Sequence, residues 1–190
     1  LTREIEENIA KLTDSFQLGN AIKSGIPVAI IGETNAGKST LLNLLLNEEK
    51  AIVSDIHGTT RDVIEDMMNI GGVTYRFIDT AGIRQTTDTI ESLGIERTFR
   101  KIEQASIVLW MIDLTSSAEH IESLAASIVA KLENKHVLLI FNKADLLSDE
   151  QLAAKQRVLP QLQAERLFIS AKKRQNTAQL QELLVKAAAI

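Results

Sequence analysis

The 190-residue chain contains no cysteine. Disulfides, thiolate metal sites and cysteine nucleophiles are therefore excluded, and the composition fits a cytoplasmic protein. Proline occurs only at positions 27 and 160, and no repeat or low-complexity segment interrupts the chain. Although 45% of the residues are hydrophobic, no apolar run approaches the ~18 residues of a membrane span. Residues 1–10 are acidic and polar and do not read as a signal peptide. Positive charge is also scarce: the net charge is −4 and no basic stripe is present, which argues against a large nucleic-acid footprint on this domain. The one basic cluster, Lys172, Lys173 and Arg174, reads as a solvated loop. The length suffices for one α/β domain with a full core.

What the chain does contain is Gly-Glu-Thr-Asn-Ala-Gly-Lys-Ser at 32–39, the pattern G-x-x-x-x-G-K-[ST]. Val28, Ala29, Ile30 and Ile31 precede it as a buried strand. Leu41, Leu42, Leu44, Leu45 and Leu46 follow it as a helix with a wide apolar face. At such a strand-to-helix turn, successive backbone N–H groups and the helix N-terminus wrap phosphates. Asn35, Ala36, Gly37, Lys38, Ser39 and Thr40 are therefore expected to bind nucleotide. Lys38 would reach the β- and γ-phosphates and Ser39 would ligate magnesium.

Residues 1–23 carry Ile5, Ile9, Leu12, Phe16 and Ile22 as an apolar stripe at mostly helical spacing. The stripe packs either on this domain or against something beyond it. Segments 66–70 and 74–78 flank Gly71-Gly72 and predict a β-hairpin. Strands are expected at 106–112, 136–141 and 166–170, with helices at 91–103, 116–132, 149–158 and 176–188. Trp110 reads as core. Strands alternating with helices give a parallel sheet covered on both faces, and the hairpin adds one antiparallel edge strand.

Further motifs fall at predicted strand ends. In Asp79-Thr80-Ala81-Gly82 the carboxylate suits a magnesium shell, and the Gly82 N–H can meet a γ-phosphate. In Asn142-Lys143-Ala144-Asp145 the aspartate can accept from guanine N1–H and its exocyclic amine, a pair that adenine cannot offer. The Lys143 stem can cover the base plane, and Asn142 can bond the base and brace the phosphate loop. In Ser170-Ala171-Lys172 the Ala171 N–H can meet guanine O6. Gly58-Thr59-Thr60-Arg61-Asp62 lies in an irregular loop, where Thr60, in preference to Thr59, completes the magnesium shell.

These motifs in this order resemble the Ras-like GTPase superfamily. The resemblance implies an α/β fold of the Ras-like P-loop GTPase type: a six-stranded, mostly parallel sheet with one antiparallel edge strand and helices on both faces. More narrowly, Ala51-Ile52-Val53-Ser54-Asp55-Ile56-His57, Asp79-Thr80-Ala81-Gly82-Ile83-Arg84 and Ile90-Glu91-Ser92-Leu93-Gly94-Ile95-Glu96-Arg97 resemble the tRNA-modification GTPases MnmE, also called TrmE. On this resemblance residues 1–25 are a helical lead-in from a neighbouring helical domain, and 26–190 are an excised G domain. A folate-binding domain, tRNA contacts and an MnmG-type flavoprotein partner would belong to the full-length protein, which acts on wobble uridine.

Many Ras-like proteins carry a water-orienting glutamine after Asp-x-x-Gly; here the residue is Ile83. The resemblance implies two replacements. Asn35 matches the family's potassium ligand, with Ser54 and Ile56 in the loop that completes the shell. Glu91 matches its catalytic glutamate, which acts on the attacking water through a second water. Arg84 is a competing candidate, and His57 a weaker one. Taken alone, Asn35 also reads as a loop residue and Glu91 as an acidic residue favoured in a helix's first turn. The resemblance further implies that two G domains pair to become active. The competing expectations are a ribosome-assembly GTPase of the Era or Der type, and a non-catalytic GTP-dependent interaction module.

Overall fold

In the computed structural model, the described residues are 5, 24–48, 66–84, 91–158 and 162–189. Strand β1 (Ile26–Ile31) runs into the phosphate-loop segment and then helix α1 (Lys38–Glu48). Strands β2 (Asp66–Ile70) and β3 (Val73–Phe77) form the hairpin, followed by the short α2 (Thr80–Arg84) and by α3 (Glu91–Gln104). Next come β4 (Ile107–Asp113), α4 (Ala118–Ile128) and β5 (His136–Asn142). Helix α5 (Asp149–Val158), β6 (Glu165–Phe168) and α6 (Thr177–Ala188) complete the order.

The six strands lie in the order β2-β3-β1-β4-β5-β6, parallel throughout except for β2 against β3. The antiparallel pair follows from its connection. Gly71 and Gly72 both adopt positive φ, which a two-residue hairpin turn requires. Because β1 has β3 on one side and β4 on the other, the direction of winding changes there. The crevice beyond the C-terminal end of β1 is thus the place where open α/β sheets bind ligands.

Strand alternation divides the core into two. Val28 and Ile30 of β1, Leu109 and Met111 of β4, and Leu138 and Ile140 of β5 face α1 and α6, packing on Leu41, Leu45, Leu180 and Leu184. Ala29, Ile31, Val108, Trp110, Ile112, Leu139 and Phe141 face the other way, toward Ile102 of α3 and Ile121 and Ala125 of α4. Both faces being covered, β4 is buried along its whole length, which is why it reads as a continuous apolar run. Trp110 is a core residue, as its setting implied. The buried Tyr75 hydroxyl donates to the Leu184 carbonyl at 2.8 Å and ties β3 to α6.

Departures from the expected elements cluster at strand ends. The second hairpin strand stops at Phe77 because Asp79, at φ 50°, turns the chain into α2. The helix expected over 116–132 begins after Ser117, whose hydroxyl accepts from the His120 amide, and it closes in a 3-10 turn at Val129–Lys131. The last strand leaves the ladder after Phe168, and Ser170 instead bridges Gln175. Of the expected helical lead-in, residues 1–4 and 6–23 lie outside the described residues.

Candidate functional site

The loop between β1 and α1 is held in a shape that side chains would block. Gly32 sits at φ 150°, where a Cβ would stand 2.5 Å from the Met111 carbonyl of β4. Gly37 sits at φ 102°, where a Cβ would stand 2.1 Å from Asn142 Nδ2. Asn35 takes a left-handed φ of 66°, a conformation that asparagine tolerates better than most residues, and its side chain is exposed. Lys38 folds back over the loop, and its Nζ donates to the carbonyls of Gly32 at 2.7 Å and Glu33 at 2.6 Å. Burial first, and then the charge of Lys101, bring the Lys38 pKa down to about 8 against an opposing pull from Glu33. Thr40 is exposed on the first turn of α1.

Glu33, an unspecified position of the motif, accepts from Ser116 Oγ at 3.0 Å and lies 2.5 Å from His120 Nε2. It thereby fastens the phosphate loop to the start of α4.

A second group of residues gathers on the β3 side. The Ser39 hydroxyl donates to the Ile83 carbonyl at 2.6 Å, so α1 and α2 meet at this point. Asp79 accepts two bonds from Arg97 of α3, Nε to Oδ2 at 2.7 Å and Nη2 to Oδ1 at 2.6 Å, and Lys101 Nζ lies 3.4 Å away. Burial raises the Asp79 pKa, but the Arg97 bonds and the Lys101 charge outweigh it and leave it below the ordinary value. Ser39 and Asp79 offer hard oxygen donors. No group of three or more metal-binding side chains is found among the described residues. Magnesium suits this sparse set, since it is commonly held by one or two carboxylates together with substrate phosphates.

The third group, at the ends of β5 and β6, brings two of the motifs together. Asn142 is buried, donates from Nδ2 to the Ala36 carbonyl at 2.9 Å, and accepts at Oδ1 from the Ala171 N–H at 3.0 Å. The Ala171 amide is thus engaged by Asn142, and a bond from it to guanine O6 would be a shared one. Lys143, at φ 66°, reaches Asp113 at the end of β4, with Nζ to Oδ2 at 2.5 Å. Asp113 also accepts from the Thr115 amide at 2.8 Å and the Thr115 hydroxyl at 2.6 Å. Burial pushes the Asp113 pKa up, while the bonds from Lys143 and Thr115 bring it below normal. The Asp145 carboxylate is lowered chiefly by the Ser170 hydroxyl, with Lys173 Nζ 3.6 Å away. Lys172 is exposed on the following turn.

Gly82 lies in α2, and a Cβ there would meet Arg97 Nη2 at 2.5 Å. Ile83 is buried in the core. Ser54, Ile56, Thr59 and Thr60 lie outside the described residues, as does the side chain of Glu91, the first residue of α3. Sequence reasoning missed Glu33, Arg97, Lys101, Asp113 and His120 as members of the site. Asp113 had a usable signal, being a carboxylate at the C-terminal end of a buried strand. Arg97 and Lys101 sit one turn apart on a helix whose start was already under suspicion.

A glycine-containing loop at a β1–α1 turn, at the point where the sheet changes direction, beside a buried asparagine at the end of β5, defines a P-loop nucleotide-binding protein of Ras-like topology. Residues 27–143 match the family described as 50S ribosome-binding GTPase, and the chain belongs to that family. The tRNA modification GTPase MnmE of Bacteroides thetaiotaomicron is 60% identical over 191 residues, covering 99% of this chain and 41% of that protein. The same-named protein of Phocaeicola vulgatus is 62% identical, covering 100% of this chain and 38% of its own length. The chain therefore spans about two-fifths of these relatives. Among solved structures, Aquifex aeolicus Era bound to GDP and AlF4− superposes with a TM-score of 0.60 at 31% identity, covering 85% of this chain and 56% of that one. No described helix is long and apolar enough to cross a membrane.

Proposed function

We propose that this chain is the GTP-binding and GTP-hydrolysing domain of a cytoplasmic tRNA modification protein acting at wobble uridine, activated by potassium-dependent pairing of two such domains. The observation that carries the nucleotide reading is Asn142, which joins the phosphate loop at Ala36 to the base side at Ala171. The identity to MnmE supports the pathway.

In this reading Asp145 accepts from guanine N1–H and its amine, flanked by Ser170, Ala171 and Lys172. Asp113 steadies Lys143 so that its stem lies over the base. Lys38 and the amides of 35–40 take the phosphates, and the Gly82 N–H takes the γ-phosphate. Ser39, Asp79 and Thr60 are the magnesium ligands. Magnesium held by these residues would supply positive charge that offsets the charge developing on the phosphoryl group in transfer.

A buried Ile83 presents nothing to the attacking water, so Glu91 positions that water through a second one. Asn35, with Ser54 and Ile56, would hold potassium, which would supply positive charge to the transfer, the service that an arginine finger worth ~10³–10⁵ in rate performs in other systems. Pairing of two copies brings both segments into place. tRNA and an MnmG-type flavoprotein engage other parts of the whole protein.

The test is phosphate release across a range of protein concentrations in potassium and in sodium. Activity should rise with concentration in potassium and stay low in sodium; equal specific activity throughout would sink the activation scheme. Asp145→Asn should move preference toward xanthine nucleotides, and tight GTP binding in that variant would contradict the base assignment. The similarity to Era favours a second reading, a ribosome-assembly GTPase. An RNA-binding rather than a folate-binding and helical flank in the intact gene would select it. If aluminium fluoride with GDP in potassium is bound yet no phosphate is ever released, the domain is an interaction module.

A further inference from the structure

Arg97 meets Asp79 with both ends of its guanidinium, at 2.7 and 2.6 Å, and Lys101 stands behind the same carboxylate at 3.4 Å. Both oxygens of Asp79, which a cation would use, are thus engaged by side chains of α3. The same guanidinium lies over Gly82, since a Cβ added there would fall 2.5 Å from Nη2. One side chain therefore engages the carboxylate that the proposed function assigns to magnesium and fills the space beside the Cα of Gly82, the residue it assigns to the γ-phosphate. We propose that Arg97 is a positioning residue that competes with magnesium for Asp79 and so sets the magnesium concentration at which the chain holds a triphosphate.

The exposures decide what kind of contact this is. The Arg97 side chain is 56% exposed and that of Asp79 28%, whereas that of Lys101 is only 13% exposed. Exposed ion pairs contribute little, although a bidentate arginine fork stands at the strong end of that range. The contact is strong enough to bias the carboxylate and weak enough for a divalent ion to displace. Lys101, being more enclosed, stays with the carboxylate and keeps its orientation after Arg97 leaves. Arg97 lies on the same helix, α3, as Glu91, the proposed water-positioning residue.

The inference rests on the assignment of Asp79 to magnesium, and the experiment separates the two. A fluorescent, non-hydrolysable GTP analogue is bound at varied free magnesium by the unaltered chain, Arg97→Gln, Arg97→Lys, Asp79→Asn and Arg100→Gln. Arg100 is the exposed control on the same helix. The half-saturating magnesium should fall about three- to tenfold in Arg97→Gln, fall less in Arg97→Lys, and stay unchanged in Arg100→Gln. Thermal melting checks that each variant is folded, and Arg97→Lys serves if Arg97→Gln is not. If the unaltered chain ignores magnesium, or Asp79→Asn retains its full magnesium response, the assignment of Asp79 fails. If that assignment holds but both Arg97 variants need as much magnesium as before, or more, competition by Arg97 is refuted. An equal fall in Arg100→Gln would reduce the effect to general charge and refute it as well.

Discussion

Replacing Asn142 by alanine removes two hydrogen bonds in one step. Its amide is 4% exposed, and the groups it serves, the Ala36 carbonyl and the Ala171 N–H, belong to residues at 0% and 2%. Each buried partner left unmatched costs about 1–3 kcal/mol in place of the bond's own net value, so the two together cost about 2–6 kcal/mol. Some water will enter beside Gly37, so the lower half of the sum applies: about 2–4 kcal/mol of folding stability. Urea unfolding followed through the single tryptophan, Trp110, would measure it. Because the same bonds hold the phosphate loop to the base side, GDP affinity should fall more than tenfold in parallel. Asn142→Asp keeps the shape and the acceptor but turns a carboxylate oxygen toward the Ala36 carbonyl, and should be no milder. A loss below about 0.5 kcal/mol in Asn142→Ala, the scatter of ordinary surface changes, with GDP affinity intact would refute Asn142 as the brace.

Gly37→Ala places a Cβ 2.1 Å from Asn142 Nδ2 and should abolish GDP binding. In the Asn142→Ala background the added penalty should be smaller, and an additive double-mutant cycle would contradict the clash. Burial raises the pKa of Tyr75, the only tyrosine, to about 12. The unfolded chain loses that proton near pH 10, so this contribution to stability is whole below pH 10 and is lost as pH rises to 12. It amounts to about 2–3 kcal/mol. Tyr75→Phe should lose about 1 kcal/mol at neutral pH, from its bond to Leu184, and should lack that part of the alkaline decline. Parallel declines in denaturant midpoint for the two proteins between pH 10 and 12 would refute it. Asp113→Asn leaves Lys143 without its charged partner, and GDP affinity measured by fluorescence should fall about tenfold; no change would remove Asp113 from the site.

The phosphate loop was legible because everything that defines it is local: a buried strand, eight residues of loop, and a helix with an apolar face. The parallel sheet was legible for a related reason. A strand covered on both faces, such as β4, shows as an unbroken apolar run, and turn residues mark its ends. The place of Asp145 just past the end of β5 was legible from the apolar strand that precedes its motif. What could not be read are the pairings between distant side chains. Arg97 and Asp79 are 18 residues apart, and Glu33 and His120 are 87 apart. No periodicity announces such contacts, since they depend on how helices lie over the sheet. The Ala171 amide shows a subtler limit. Its position was foreseen, but its bond to Asn142 depends on a side chain 29 residues earlier. Helix α2, five residues long, has no periodic pattern to reveal it, and it arises because Asp79 turns left-handed at the end of β3.

The tie made by Asn142 runs between the phosphate loop and the ends of β5 and β6, whereas Asp79 is held by α3 and the turn after it meets α1 through Ser39 and Ile83. On the proposed assignment, the molecule would place a braced base-reading side next to a phosphate-sensing side held by a different helix. In that reading, base identity would be inspected in the same way whether two phosphates or three are present, and the side around Asp79 would register the difference.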